Sequence, residues 1–376
     1  MGYHIFRILL TATLAVSTTT HPPSPSGLFS NNVIYQPSKS EGVLYPRFVE
    51  LADGKLLVTS TLSGYSPAFF PVFESEDGGA TWNWISNITD QVNGWGMQAQ
   101  PALAELTEPL GDFETGTILA SGNSWSGNGT RIDLYASRDR ARTWEFVSRI
   151  AEGSAPNITN GAHPVWEPYL MVYDHELVCF YSDQRDPLHG QKLAHQTTKD
   201  MKHWGPVVND VAYGNYSVRP GMTVITYLPP IDSWILVHEF PSSANITGAE
   251  YPVYYRIAKS PLEFDSVQGT PILSREGVQP SSSPYVTWSS VGGPNGTIIV
   301  SDADHQPVFI NRHLGDPGEW DMMDVPQPIA YSRAVHVFND VPDHLMILGA
   351  GNFPGVDPEG TIRPLSLSVI SLEASL

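Results

Sequence analysis

The sequence predicts an all-β chain folded as a six-bladed β-propeller. Three observations carry the prediction: an aspartate-centred box recurs at near-constant spacing, six short apolar runs lie between turn residues, and 32 glycines and 32 prolines punctuate the 376 residues. Gly and Pro at that density break a chain into many short elements. An aromatic content of 11% suits strands. No long stretch carries the apolar period of a helix.

The box appears in full as Ser75-Glu-Asp-Gly-Gly-Ala-Thr-Trp82, of the form Ser-x-Asp-x-Gly-x-Thr-Trp. It returns as Ser137-Arg-Asp-Arg-Ala-Arg-Thr-Trp144, with Ala141 at the glycine position. Thr198-Lys-Asp-Met-Lys-His-Trp204 is one residue shorter, and Ser260-Pro-Leu-Glu-Phe264 is a worn remnant. The starts at 75, 137, 198 and 260 are 62, 61 and 62 residues apart. A fixed period of this size marks a repeat architecture. The chemistry of the box is local: Asp accepts bonds from turn amides, Gly permits positive φ, and Trp buries its ring between neighbouring sheets. These Asp-box hairpins are therefore structural.

The apolar runs set the blade count. Lys55-Leu-Leu-Val-Thr, Thr117-Ile-Leu-Ala-Ser and Glu176-Leu-Val-Cys-Phe-Tyr precede the first three boxes, and Ser233-Trp-Ile-Leu-Val-His precedes the fourth. Thr297-Ile-Ile-Val-Ser and His344-Leu-Met-Ile-Leu-Gly follow. Each reads as a buried strand. Six units of this length match blades of four strands. Asn32-Val-Ile-Tyr35 and Leu365-Ser-Leu-Ser-Val-Ile370 are expected to share the last blade and so remove an exposed edge.

The boundaries follow. Arg7 and the short apolar run Ile8 to Val16 read as part of a signal peptide over residues 1–20, and residues 28–376 as one propeller domain. Six Asn-x-Ser/Thr sequons, at Asn87, Asn128, Asn157, Asn215, Asn245 and Asn295, agree with secretion and predict a glycoprotein. The single cysteine, Cys179, sits in an apolar run and reads as a small buried hydrophobe. A net charge of −19 argues against nucleic acid or an anionic membrane as partner. No run is long enough to span a membrane. Scattered histidines and the lack of a phosphate or dinucleotide motif predict neither metal nor cofactor. A closed propeller needs no second copy, so a monomer is expected.

A second motif opens each blade: Tyr45-Pro-Arg47, Gln100-Pro101, Trp166-Glu-Pro168, Val218-Arg-Pro220, Ser283-Pro284 and Ser332-Arg333. The innermost strands of a propeller line its channel, so their first residues form a ring at one mouth. Arg47, Glu167, Arg219 and Arg333 are expected to converge there. Glu239 ends the run Leu236-Val-His-Glu239, a carboxylate after apolar strand residues that breaks the local pattern. Its bland reading is a salt bridge, and that of Glu167 a strand-end surface residue. Their placement one blade apart at the same mouth favours a working pair, the equipment of glycoside hydrolysis. Trp95, Trp125, Trp166 and Tyr181 are candidate sugar platforms, with core packing the competing reading of each. His163 is a candidate for a sugar hydroxyl.

On Leu44-Tyr-Pro-Arg47, the box Ser75–Trp82, Val165-Trp-Glu-Pro-Tyr169, Ser217-Val-Arg-Pro-Gly221 and Val237-His-Glu-Phe240, the chain resembles the fungal exo-α-1,5-L-arabinanases of glycoside hydrolase family 93. The resemblance covers essentially the whole chain after residue 27. It implies a propeller related to sialidases, a retaining mechanism, and release of arabinobiose from the non-reducing end of linear α-1,5-arabinan. It also implies Glu167 and Glu239 as the catalytic pair, with Glu167 as acid/base and Glu239 as nucleophile. Two alternatives stand beside it. A sialidase would use Arg47, Arg219 and Arg333 as a carboxylate clamp and Tyr331 as nucleophile. A non-catalytic carbohydrate-binding propeller would hold sugar without cutting it.

Overall fold

A computed structural model describes residues 27–241, 247–353 and 362–376. The segment 1–20, expected to be a signal peptide, and the Asn245 sequon lie outside the described residues. The architecture is a six-bladed β-propeller of six four-stranded antiparallel sheets. The innermost strands, in blade order, are Gly42–Glu50, Met97–Glu105, Val165–Tyr173, Gly221–Leu228, Tyr285–Ser289 and Ala334–Val337. Each packs against its neighbours on both sides, closing a ring. Residues repeating at period two fill the gaps between blades, among them Leu56, Val58, Ile235 and Val237, all fully buried.

Blade six is completed by the strand Phe29–Tyr35, which pairs antiparallel with Leu365–Ser371. The two ends of the fold thus meet in one sheet, which leaves the ring without an open seam. Among the described residues no helix is long and apolar enough to cross a membrane.

The boxes form tight hairpins with the same bonds twice over. Asp77 Oδ1 accepts from Thr81 N at 2.8 Å, and Ser75 Oγ accepts from Gly79 N at 2.8 Å. Asp139 and Ser137 accept from Thr143 N and Ala141 N at the same 2.8 Å. Ala141 adopts φ 62°, where glycine stands in the first box. The Trp144 and Trp204 rings reach the preceding blade, donating to Ser86 Oγ at 3.1 Å and Ser148 Oγ at 3.0 Å.

One backbone irregularity recurs around the channel. Tyr45, Gln100, Glu167, Met222, Ser283 and Ser332 each have φ between 43° and 62°. In the first four blades the residue sits inside a β-bulge of the innermost strand. Proline follows directly at Pro46, Pro101, Pro168 and Pro284. A bulge leaves a ladder position unpaired, so proline costs the sheet no hydrogen bond there. Blade four departs from the expected alignment. Its left-handed residue is Met222, not the Arg219-Pro220 step, so Arg219 belongs to the loop before the strand.

Candidate active site

The bulges explain how two distant carboxylates come to one place. Five of these left-handed residues turn their N–H toward the preceding blade, where a side-chain oxygen accepts it. Gln100 N donates to Thr61 Oγ1 at 3.0 Å, and Glu167 N donates to Gln100 Oε1 and Asn123 Oδ1, both at 3.1 Å. Ser332 N donates to Ser283 Oγ at 2.9 Å. In the two intervening blades the acceptor is a glutamate. Met222 N donates to Glu167 Oε2 at 2.9 Å, and Ser283 N donates to Glu239 Oε2 at 2.8 Å. The same relay that satisfies five strained backbone positions therefore clamps both carboxylates.

Both glutamates line a cavity of about 820 Å³ at this mouth. A methyl on Gly221 would stand 3.4 Å from Glu239 Oε1 and 3.5 Å from Glu167 Oε2. Those oxygens are thus separated by at most the sum of the two distances, about 7 Å, which includes the ~5–5.5 Å class and only the lower end of the ~6.5–9.5 Å class of carboxyl pairs.

Their electrostatics differ. Burial, then the charge of Glu167, pushes the Glu239 carboxyl up to about 8. Burial also raises Glu167, but more groups oppose it: Ser182 Oγ donates to Oε2 at 2.7 Å, Met222 N donates to the same oxygen, and Arg219 and Arg47 supply positive charge. Both carboxyls are raised, and Glu239, with fewer groups opposing the shift, is the better proton holder of the two. This is the reverse of the division that the resemblance implies.

The other expected residues separate into those at the wall and those behind it. Arg219 and Trp166 line the cavity with the glutamates. Arg219 donates to Asn160 Oδ1 at 2.7 Å, Gln191 Oε1 at 2.8 Å and Gln184 Oε1 at 3.0 Å. All three acceptors are neutral amides, so its charge stays available to the site. Gln184 Oε1 also accepts from Trp166 Nε1 at 2.7 Å, which fixes that ring.

Arg47 lies beneath the floor, 5% exposed, with its guanidinium over the Tyr45 ring at 3.9 Å and bonded to Pro46 and Ser332. It reaches Glu167 by its field alone. Arg333 does not reach the mouth. It is fully buried and donates to the carbonyls of His305, Gln306 and Gln327, so it ties loops together. Strand alternation would put Arg333 on the same side as Tyr331, but the left-handed Ser332 between them breaks the alternation. Tyr331 is the residue that faces the cavity.

Tyr181 is also internal. It is fully buried, its hydroxyl donates to Gln196 Oε1 at 2.8 Å, and Arg185 Nη2 donates to it at 2.8 Å. Trp125 stands one ring behind the wall, edge-on to Trp166 at 5.8 Å. Trp95 sits under the Arg131 guanidinium at 5.1 Å, away from the cavity. His163 is exposed and contributes backbone bonds to Ser154.

Gln191, Tyr251 and Phe353 also line the wall and carry no sequence signal. Tyr331 had one, because it precedes the Ser332-Arg333 step that opens blade six. Its hydroxyl is turned toward the Met222 sulfur at 3.7 Å, and burial, then the charges of Glu239 and Glu167, raises it well above the usual phenol range.

The geometry can be set beside known structures. An α-L-arabinofuranosidase of family GH93 from Fusarium graminearum, solved with arabinobiose, superimposes with a TM-score of 0.88 at 44% identity, covering 93% of this chain and 99% of that one. This chain belongs to glycoside hydrolase family 93. It is a glycoside hydrolase, and the family 93 likeness extends to an α-L-arabinanase from Penicillium chrysogenum, also solved with arabinobiose. That structure matches with a TM-score of 0.87 at 40% identity, over 93% of this chain and all of the other. The NanB sialidase of Streptococcus pneumoniae matches at TM-score 0.60 and 10% identity over 93% of this chain and 71% of its own length, a likeness of fold alone. No protein-family model and no curated protein sequence matches the chain.

Proposed function

We propose that this family 93 member is a secreted, monomeric exo-α-1,5-L-arabinanase that releases arabinobiose from the non-reducing end of linear arabinan by a retaining mechanism. The observation that carries it is the pair Glu167 and Glu239, two half-buried carboxylates from adjacent blades within about 7 Å in one cavity. The substrate rests on the relatives that hold arabinobiose. The electrostatics support Glu239 as acid/base and Glu167 as nucleophile. Glu239 gives its proton to the leaving glycosidic oxygen while Glu167 attacks the anomeric carbon and forms a glycosyl ester. Glu239 then takes a proton from water, which attacks the same carbon and frees Glu167. Arg219 and Arg47 favour the ionised nucleophile that the first step needs.

A sialidase is disfavoured because Arg47 and Arg333 are spent inside the fold, which leaves Arg219 alone at the wall. Chromatography of a linear arabinan digest tests the activity: arabinobiose alone supports the reading, and a ladder of sizes or no product counts against it. Azide tests the roles. With an activated aryl glycoside, Glu239→Gln is expected to give an azide product of retained configuration, and Glu167→Gly one of inverted configuration. The opposite outcome would exchange the two residues.

A further inference from the structure

The sequons differ in what surrounds them. Asn295 is half-buried, its Nδ2 donates to Arg312 O at 3.2 Å, and the hydroxyl of its fully buried Thr297 donates to Val291 O at 2.7 Å. The atoms a glycosyl transfer needs are occupied or enclosed. Asn87 is the contrary case. It is exposed on the outermost strand of blade one, Asn83–Thr89, and Thr89 is exposed as well.

Beside Asn87 lies a part-exposed aromatic ring, that of Trp84. Trp84 is 41% exposed, although its ring is backed edge-on by Tyr35 at 5.5 Å and at a tilt by Phe73 at 5.4 Å. Its Nε1 donates to Asn87 Oδ1 at 2.7 Å and also to Ser86 O at 3.0 Å. The bond to Asn87 uses the amide oxygen and orients the amide against the ring.

We propose that Asn87 is an N-glycosylation site whose first N-acetylglucosamine packs its C–H face on the outward face of Trp84. Transfer from a lipid-linked oligosaccharide joins Asn87 Nδ2 to C1 of the sugar, expels the lipid diphosphate, and removes one Nδ2 proton. Oδ1 is untouched, so it keeps accepting from the indole. The bond that orients the free amide thus orients the attached sugar, and the sugar covers apolar surface that the propeller leaves open. The proposal rests on entry into the secretory pathway and not on arabinan cleavage.

The test uses the full chain secreted from yeast, with occupancy read by mass spectrometry after glycan release in ¹⁸O-water. Asn87 is expected to be occupied and Asn295 empty. An unmodified Asn87 overturns the proposal, and an occupied Asn295 overturns the burial argument behind it. Protein trimmed to one N-acetylglucosamine is then compared with Thr89→Ala, which removes the sequon without touching Trp84 or Asn87. The unglycosylated variant is expected to melt lower by on the order of 2 °C. In a Trp84→Leu background that difference should vanish, and an undiminished difference overturns the platform. Should the leucine variant not fold, Trp84→Phe keeps a ring without the N–H. It is expected to show a reduced difference, and a full wild-type difference overturns the hydrogen-bonded geometry.

Discussion

Alanine at Gly221 would probe the space between the two glutamates without touching either. Gly221 begins the innermost strand of blade four and pairs with Glu239 across the ladder. Its φ lies outside the left-handed region, so alanine fits the backbone, and in a strand it is favoured over glycine by roughly 0.5–1 kcal/mol. The added methyl would stand 3.2 Å from Gln191 Nε2, 3.4 Å from Glu239 Oε1 and 3.5 Å from Glu167 Oε2. Folding therefore meets one tight contact with a side-chain end, and Tm is expected to stay within about 2 °C of wild type. The reacting carbon meets more, because the methyl fills the region both carboxylates must reach across. A displacement of order 1 Å there costs about 100-fold, or roughly 2.7 kcal/mol of barrier. Initial rates of arabinobiose release, with a melting curve on the same preparation, measure both. A folded variant with kcat/KM within about threefold of wild type would refute the claim that the scissile bond lies between these residues.

Other perturbations separate scaffold from chemistry. Glu239 holds its proton up to about 8 in the fold but titrates near 4.5 when exposed, so the stability it contributes is lost as pH rises through that window. Glu239→Gln should therefore match the wild-type Tm below about pH 4.5 and exceed it increasingly toward pH 8; parallel curves would remove the burial argument. Arg333→Lys, which cannot serve the carbonyls of three residues in the same fork, is expected to cost on the order of 3 kcal/mol in urea unfolding while leaving KM unchanged. A raised KM at wild-type stability would return Arg333 to the site. Burial pushes the Cys179 thiol far up, so iodoacetamide should label it only after denaturation.

The parts of this fold that were legible in the sequence are those held by local chemistry. The boxes at Ser75 and Ser137 bind their own turns, so their period counts blades directly. Glu167 was legible because Trp166-Glu-Pro168 repeats the step that opens each blade, and Glu239 because a carboxylate interrupts an apolar strand. Arg333 and Tyr181 show where such reading stops. Nothing local tells whether a polar group at a strand end points to the mouth or back into the fold, and one left-handed residue, Ser332, reverses the answer for Tyr331 and Arg333. Gln191, Tyr251 and Phe353 reach the wall through loops whose paths depend on the whole ring.

Closure of blade six sets an order of events on the ribosome. Asn31 N finds its acceptor in Ser368 Oγ, 337 residues later. At translation rates of roughly 5–20 residues per second, the first strand waits roughly 15–70 s for its partner. During that interval blades one to five can assemble in turn, but the ring stays open and Leu367, which lies against Gly79 of blade one, has not been made. A nascent chain interrupted at any earlier point presents an unsealed strand edge to the quality-control machinery. Completion of the last blade is thus the moment at which a finished chain becomes distinguishable from an unfinished one.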